Sequence, residues 1–130
     1  NRVFKGDKTL DLGQIRLSSG NEVVVDNCYR TTSSWERFRG LIGRIPLSDS
    51  TALFLDSSDC VHTFFMRYPI DLVYLDENLC VKKAISLIKP WRISACFQAS
   101  CVLALSGGTA KRHALTPQKQ LVWSLKYNLW

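Results

Sequence analysis

The sequence predicts a mainly β domain with minor α: a single-domain antiparallel sheet, barrel-like or sandwich, with one two-turn helix and one shorter helix. Three observations lead there. Short apolar or alternating runs recur along the chain, each bounded by Gly, Pro, Ser or Asp. They follow one another without the strand–helix–strand rhythm of a parallel sheet. Helix signals occur in two stretches only, an apolar stripe with a capping box in one and a Thr cap before a proline stop in the other. At 130 residues the chain makes one domain with one sizeable core. Residues 1–22 are expected as an N-terminal arm or edge hairpin and 23–130 as the β-rich domain.

Residues 1–20 open with a basic, polar start. Leu10, Leu12, Ile15 and Leu17 then lie among the turn clusters at 11–13 and 18–21. Residues 22–28, EVVVDNC, are short and β-branched, a strand. Ser33 and Glu36 have capping-box spacing. Trp35, Phe38 and Leu41 or Ile42 recur as one stripe, which predicts a helix over 34–42 that Gly43 ends in a left-handed conformation. Ile45-Pro46 then runs extended, 47–50 turn, and 52–55, ALFL, form a buried strand. Strands are expected at 61–66 and 70–75 with a break at 67–69, followed by a tight turn at 76–78. Residues 79–88 alternate, with Val81, Lys83, Ile85 and Leu87 on the more apolar side. Residues 89–97 form a loop around Pro90 and Trp91. A strand at 99–105, a turn at 106–109 whose Thr109 caps a short helix to about Leu115, and a last strand at 121–127 complete the sheet. The predicted core side chains are Trp35, Phe38, Leu41, Leu53, Phe54, Leu72, Tyr74, Val102, Leu103 and Leu105.

The net charge is +6, with Lys and Arg scattered rather than gathered in a run. That pattern, and the lack of an aromatic ladder legible in the sequence, argue against nucleic acid as the partner. No stretch approaches the ~20 apolar residues of a membrane-spanning helix. The five Cys are odd in number and lack CxxC spacing, so all five are expected as free thiols. A Cys96–Cys101 bridge is the alternative for an exported chain. Unpaired cysteines favour the cytoplasm. The chain begins at Asn1 rather than Met, which leaves room for an upstream segment. Two His without a Cys pair offer no metal set, and no Ser has a His/Asp partner at triad spacing. No cofactor, metal or catalytic residue is assigned.

The segments WERFRGLIGRIPL, ALFL, HTFFMRYPIDLVYLDENLCVKKAI and CVLALSGGTAKRHAL, in that order, resemble domain-of-unknown-function family 192, over about residues 23–121. These are small, mostly bacterial and archaeal proteins, many of them exported, so the resemblance also keeps the cell envelope open as a location. Arg39, Gly40, Leu41, Gly43 and Arg44 match the family's first block, and Leu53 and Phe54 its second. Phe64, Phe65, Met66, Arg67, Pro69, Ile70 and Asp71 match the third, with Phe for Trp and Arg for Lys. Thr51 and Ala52 depart from the usual Gly-Met, Ala104 from Glu, and Gln118-Lys119 from Gly-Asp, and the family's Asn-Thr step is missing. The resemblance implies no reaction.

Two motifs, GLIGR and FFMRYPID, concentrate Gly, Arg, aromatic and Asp residues beyond the needs of packing. An Arg fork grips carboxylate or phosphate at two points. Glycines admit close backbone approach. His62 changes charge near neutral pH. The expected ligand-binding set is therefore Arg39, Gly40, Gly43, Arg44, His62, Phe65, Met66, Arg67, Asp71 and Trp91. The favoured function is a non-catalytic binding module for a small anionic or polar ligand or a partner peptide. The alternative is an enzyme using Asp71 with Arg44 or His62, and the third option is nucleic-acid binding through a basic surface. Asp71 has a plainer reading as a turn-capping or ion-pairing residue.

Overall fold

The computed structural model of the chain describes residues 10–32, 40–41, 43–64 and 66–129. These form the strands β1 (Asp11–Leu17), β2 (Val23–Thr31), β3 (Thr51–Asp56), β4 (Cys60–His62), β5 (Ile70–Leu75), β6 (Val81–Ile88), β7 (Ile93–Ala95), β8 (Cys101–Ser106) and β9 (Leu121–Asn128), with a short helix at Thr109–Arg112. Strand accounts for 53% of the described residues and helix for 7%, as the short β-branched runs predict.

β5 buries every one of its six residues. It lies between β6 and β8 in a sheet of order β6-β5-β8-β3-β2-β1-β9. On one face Val73, Leu75, Leu103, Leu105 and Phe54 join Ile15, Val24 and Leu121 in a first cluster. On the other, Leu72, Tyr74, Val102, Ala104 and Leu53 pack with Val61 and Met66 in a second. The central strands are thus covered on both sides, which is why their sequences are continuous apolar runs rather than alternating ones.

All neighbours in this sheet are antiparallel except β2 and β3, which run parallel. The chain between them, 32–50, is the crossover that a parallel pair requires. The sheet curls until its two outer strands approach at one end. There Cys80 bridges Gln120, the Leu121 N–H donates to Leu79 O at 2.9 Å, and the Val81 N–H donates to Lys119 O at 2.8 Å. The sheet stays open and sandwich-like rather than closing as a barrel. β4 and β7 form a separate two-stranded ribbon over the second cluster.

Several local expectations are corrected. Residues 11–17 do form a hairpin with β2, but not at the edge, because β9 pairs along their other side. The strand expected over 61–66 stops at His62: Thr63 O accepts the Met66 N–H at 3.1 Å and closes a turn. The loop expected over 89–97 contains β7. The predicted helix over 34–42 lies mostly outside the described residues, as do Trp35 and Phe38. Gly40, Leu41, Gly43 and Arg44 are helical, and the Ile45 N–H reaches Leu41 O at 2.7 Å. Gly43 therefore continues the helix instead of ending it, and among the described glycines positive φ is confined to Gly20 and Gly108. The alternation of β6 breaks at a register shift, where Leu87 takes φ 54 and turns outward.

Candidate functional site

In the β4–β7 ribbon, Cys60 faces Ala95, Val61 faces Ser94, and His62 faces Ile93. Period-two alternation sends the middle pair inward. Val61 joins the second cluster, and the Ser94 hydroxyl accepts the buried Tyr74 OH at 2.9 Å. Burial raises the Tyr74 pKa, against the lowering effect of the Ser94 bond. The outer pairs are left toward solvent, where Ile93 is 69% exposed.

Thr63, itself buried, ties the ribbon to the loop that follows β6. Its N–H donates to Arg92 O at 2.8 Å, and its carbonyl accepts the Trp91 N–H at 3.1 Å. Its hydroxyl donates to Lys89 O at 2.7 Å and accepts the Arg92 N–H at 3.0 Å. These bonds hold Trp91 at φ 66, a conformation that costs a non-glycine residue free energy and persists only where neighbours over-determine it.

The result is a row of three rings. His62 and Phe64 lie with centroids 4.9 Å apart and planes at 35°. Phe64 stacks on Trp91 at 5.5 Å and 23°. Trp91 is 70% exposed and Phe64 39%. Arg67, Lys89 and Arg92 are exposed nearby in sequence. A groove of ≈ 510 Å³ lies between β6 and β7, bordered by Lys83, Leu87, Lys89, Arg92 and Ile93, with no Asp or Glu in its lining. Such a surface can stack flat or apolar groups and attract negative charge.

The sequence-predicted residues fall in different places. His62 and Trp91 come together, with Phe64 between them. Arg67 is exposed on the adjoining loop and Met66 is buried in the second cluster. Gly40, Gly43 and Arg44 are exposed on the helical turn, and a Cβ at either glycine would meet no atom within 4 Å. No close backbone approach therefore explains these glycines. Arg39 and Phe65 lie outside the described residues.

Asp71 is fully buried. Its Oδ1 accepts the Leu87 N–H at 2.8 Å, and its Oδ2 accepts the N–H groups of Gly108 at 3.1 Å and Ala110 at 2.9 Å. It caps the short helix from a neighbouring strand, the role expected of Thr109. The Thr109 hydroxyl instead meets Ser106 Oγ at 2.8 Å. An acid/base role would have to break this network. Among the described residues no group of three or more His, Cys, Asp and Glu is placed to hold a metal ion, and no helix is long and apolar enough to cross a membrane.

Sequence reasoning missed Thr63, Lys89, Arg92 and Ile93. The signal was the composition of KPWRI, where a proline loop carries a Trp between two cations.

The family model of domain-of-unknown-function family 192, whose description reads "Uncharacterized ACR", matches residues 16–123. Among curated proteins there is no match. One similar solved structure is a "putative transcription regulator" from Sinorhizobium meliloti 1021, with TM-score 0.71 and 16% identity, covering 88% of this chain and 95% of that one. Another is a protein of unknown function from Novosphingobium aromaticivorans DSM 12444, with TM-score 0.65 and 20% identity, covering 88% of this chain and 85% of that one. At these identities the two share the fold.

Proposed function

The chain belongs to domain-of-unknown-function family 192, and we propose that within it this protein works as a non-catalytic binding module. The observation that carries the reading is the exposed His62–Phe64–Trp91 row, held on backbone that Thr63 pins in a strained conformation. Large rings left in water on a rigid support mark an interaction surface. The ligand class is a small anionic or polar molecule, or a peptide of a partner, that lays an apolar or flat group on the rings and offers charge to Arg67, Lys89 and Arg92. The helical turn bearing Gly40, Gly43 and Arg44 is proposed as a second wall, since Leu41 and Ile45 pack on the same cluster as Val61 and Met66.

A thermal-shift screen against metabolites and sugars, followed by titration of wild type, Phe64→Ala and Trp91→Ala, tests the reading. Hits should bind the folded variants at least about tenfold more weakly. If both variants bind every hit as tightly as wild type, the site is wrongly placed. Turnover of any hit by wild type would replace the reading with an enzyme.

The same row favours one second reading, single-stranded nucleic acid, because stacked rings beside cations are the parts of a base-stacking platform. Its test is binding of a thymidine dodecamer in low salt.

A further inference from the structure

Resting on the binding-module reading, we infer that the groove between β6 and β7 takes an extended acidic peptide segment of a partner protein as an added strand. Among the described residues β6 has β5 as its one partner strand, with Val81 at its start also bonded to Lys119 and Gln118, and β7 has only β4. Both strands border the same groove, so two strand edges with backbone groups to offer face one space. They are consecutive in the chain, joined by residues 89–92, the loop that carries Trp91.

The span across the groove is bounded by one side chain and leaves room for at most one strand. Lys83 Nζ donates to Ala95 O at 3.0 Å across the groove. An extended Lys side chain plus that bond sets an upper limit of about 10 Å between the two backbones, near twice the ~4.8 Å spacing of paired strands. When Lys83 swings away it frees the Ala95 carbonyl as a ladder acceptor and keeps its own charge for the incoming chain.

The charge selects the occupant. Lys83, Lys89 and Arg92 line the groove without a carboxylate among the lining residues, and the whole chain carries +6. A lysine on an open edge discourages pairing with another copy of this basic chain and admits an acidic one. Leu87 and Ile93, both exposed, line the same groove as the cations. The fitting segment therefore alternates acidic and apolar side chains, charge toward the cations and apolar groups toward Leu87, Ile93 and the aromatic row. The outward bulge at Leu87 limits pairing on β6 to the residues before it.

The experiment uses a fluorescein-labelled nonapeptide of alternating Glu and Val, the matching Lys-Val peptide, and a Glu-Val peptide N-methylated at every second residue. Anisotropy with the full chain should show binding of the first, at least about tenfold weaker binding of the other two, and weakening in 0.5 M NaCl. In NMR the amides of residues 82–86 and 93–95 should gain protection from exchange when the acidic peptide is bound. The Lys89→Glu/Arg92→Glu double variant should lose the acidic peptide. If that variant does not fold, the salt series and the N-methylated peptide decide. Equal binding of the N-methylated peptide overturns strand addition. Equal binding of the Lys-Val peptide overturns the charge selection. Binding of the thymidine dodecamer but not of the acidic peptide overturns the inference in favour of nucleic acid. If the acidic peptide fails while a screened ligand still changes Trp91 fluorescence, only this inference falls. If nothing tested changes it, the binding-module reading falls as well.

Discussion

Asp71 Oδ2 lies 2.9 Å from the Ala110 nitrogen, and through this bond a buried carboxylate on β5 terminates a helix almost forty residues further on. The helix has a left-handed residue, Gly108, at its N-cap and no side-chain cap of its own. The N–H groups of Gly108 and Ala110 at its start, which have no partner within the helix, are met by Asp71 instead.

Asp71→Ala should therefore unfold the protein readily. Three backbone N–H groups would lose their acceptor, and each buried donor left unsatisfied costs about 1–3 kcal/mol. We expect a loss of at least about 3 kcal/mol in urea denaturation. Asp71→Asn should cost less, and the folded Asn variant should bind ligands of the aromatic row as wild type does. A wild-type midpoint for the Ala variant would remove Asp71 from the framework.

Phe54→Ala should cost about 3–5 kcal/mol, the range for a fully buried Phe. The ring is fully buried, meets Trp123 edge-on at 6.1 Å, and carries the Arg30 guanidinium 4.4 Å above its face. Arg30 in turn forks onto Asp56 at 2.8 and 2.9 Å. The variant should also loosen this pair, seen as faster exchange of the Arg30 side-chain protons. Unchanged melting would contradict the packing.

Thiol reactivity should be graded. All five cysteines are free. Cys60 is exposed, whereas burial pushes the Cys101 thiol up to about 12, with the Asp56 charge adding to it, and raises Cys28 further. Only the thiolate reacts. A disulfide-exchange reagent at pH 8 should label Cys60 first in the native protein and Cys28 and Cys101 last, with five thiols in denaturant. Three or fewer in denaturing, non-reducing conditions would mean a disulfide.

Acid should weaken the turn between β5 and β6. The Cys80 N–H foremost, and then the Asn78 N–H and Lys82, hold the Asp76 carboxyl below its ordinary value of 3.8. The unfolded chain takes up this proton more readily, so the stabilisation is complete above that value and is lost as pH falls through the lower, folded one. Asp76→Asn keeps an acceptor but no charge. Wild type should exceed it at pH 6 by about 1 kcal/mol or less, since the carboxylate lies near the surface, where solvent screens its partners. The two should converge toward pH 2. A gap that widens in acid would reverse the assignment.

Much of the fold was legible in the residues themselves. IDLVYL and CVLAL announce strands because their β-branched and aromatic side chains suit a buried sheet, and that preference needs no knowledge of distant partners. DEN announces a turn because Asp76 bonds backbone N–H groups only two and four residues on. Leu53, Phe54, Leu72, Tyr74, Val102, Leu103 and Leu105 are buried as their sequence predicts for the same reason: a continuous apolar run tells of burial before it tells what it packs on.

Tertiary structure alone decided what Asp71, Gly43 and Trp91 do. The donors to Asp71 lie 16, 37 and 39 residues away, and only the pairing of β5 with both β6 and β8 brings them to one carboxylate. Gly43 carries a helix-ending signal, yet the Ile45–Leu41 bond carries the turn past it. Three-residue strands such as β4 and β7 are too short for any periodicity to show. Their existence depends on each other and on Thr63, so the exposure of Trp91 and its stacking on Phe64 were set by contacts between segments nearly thirty residues apart.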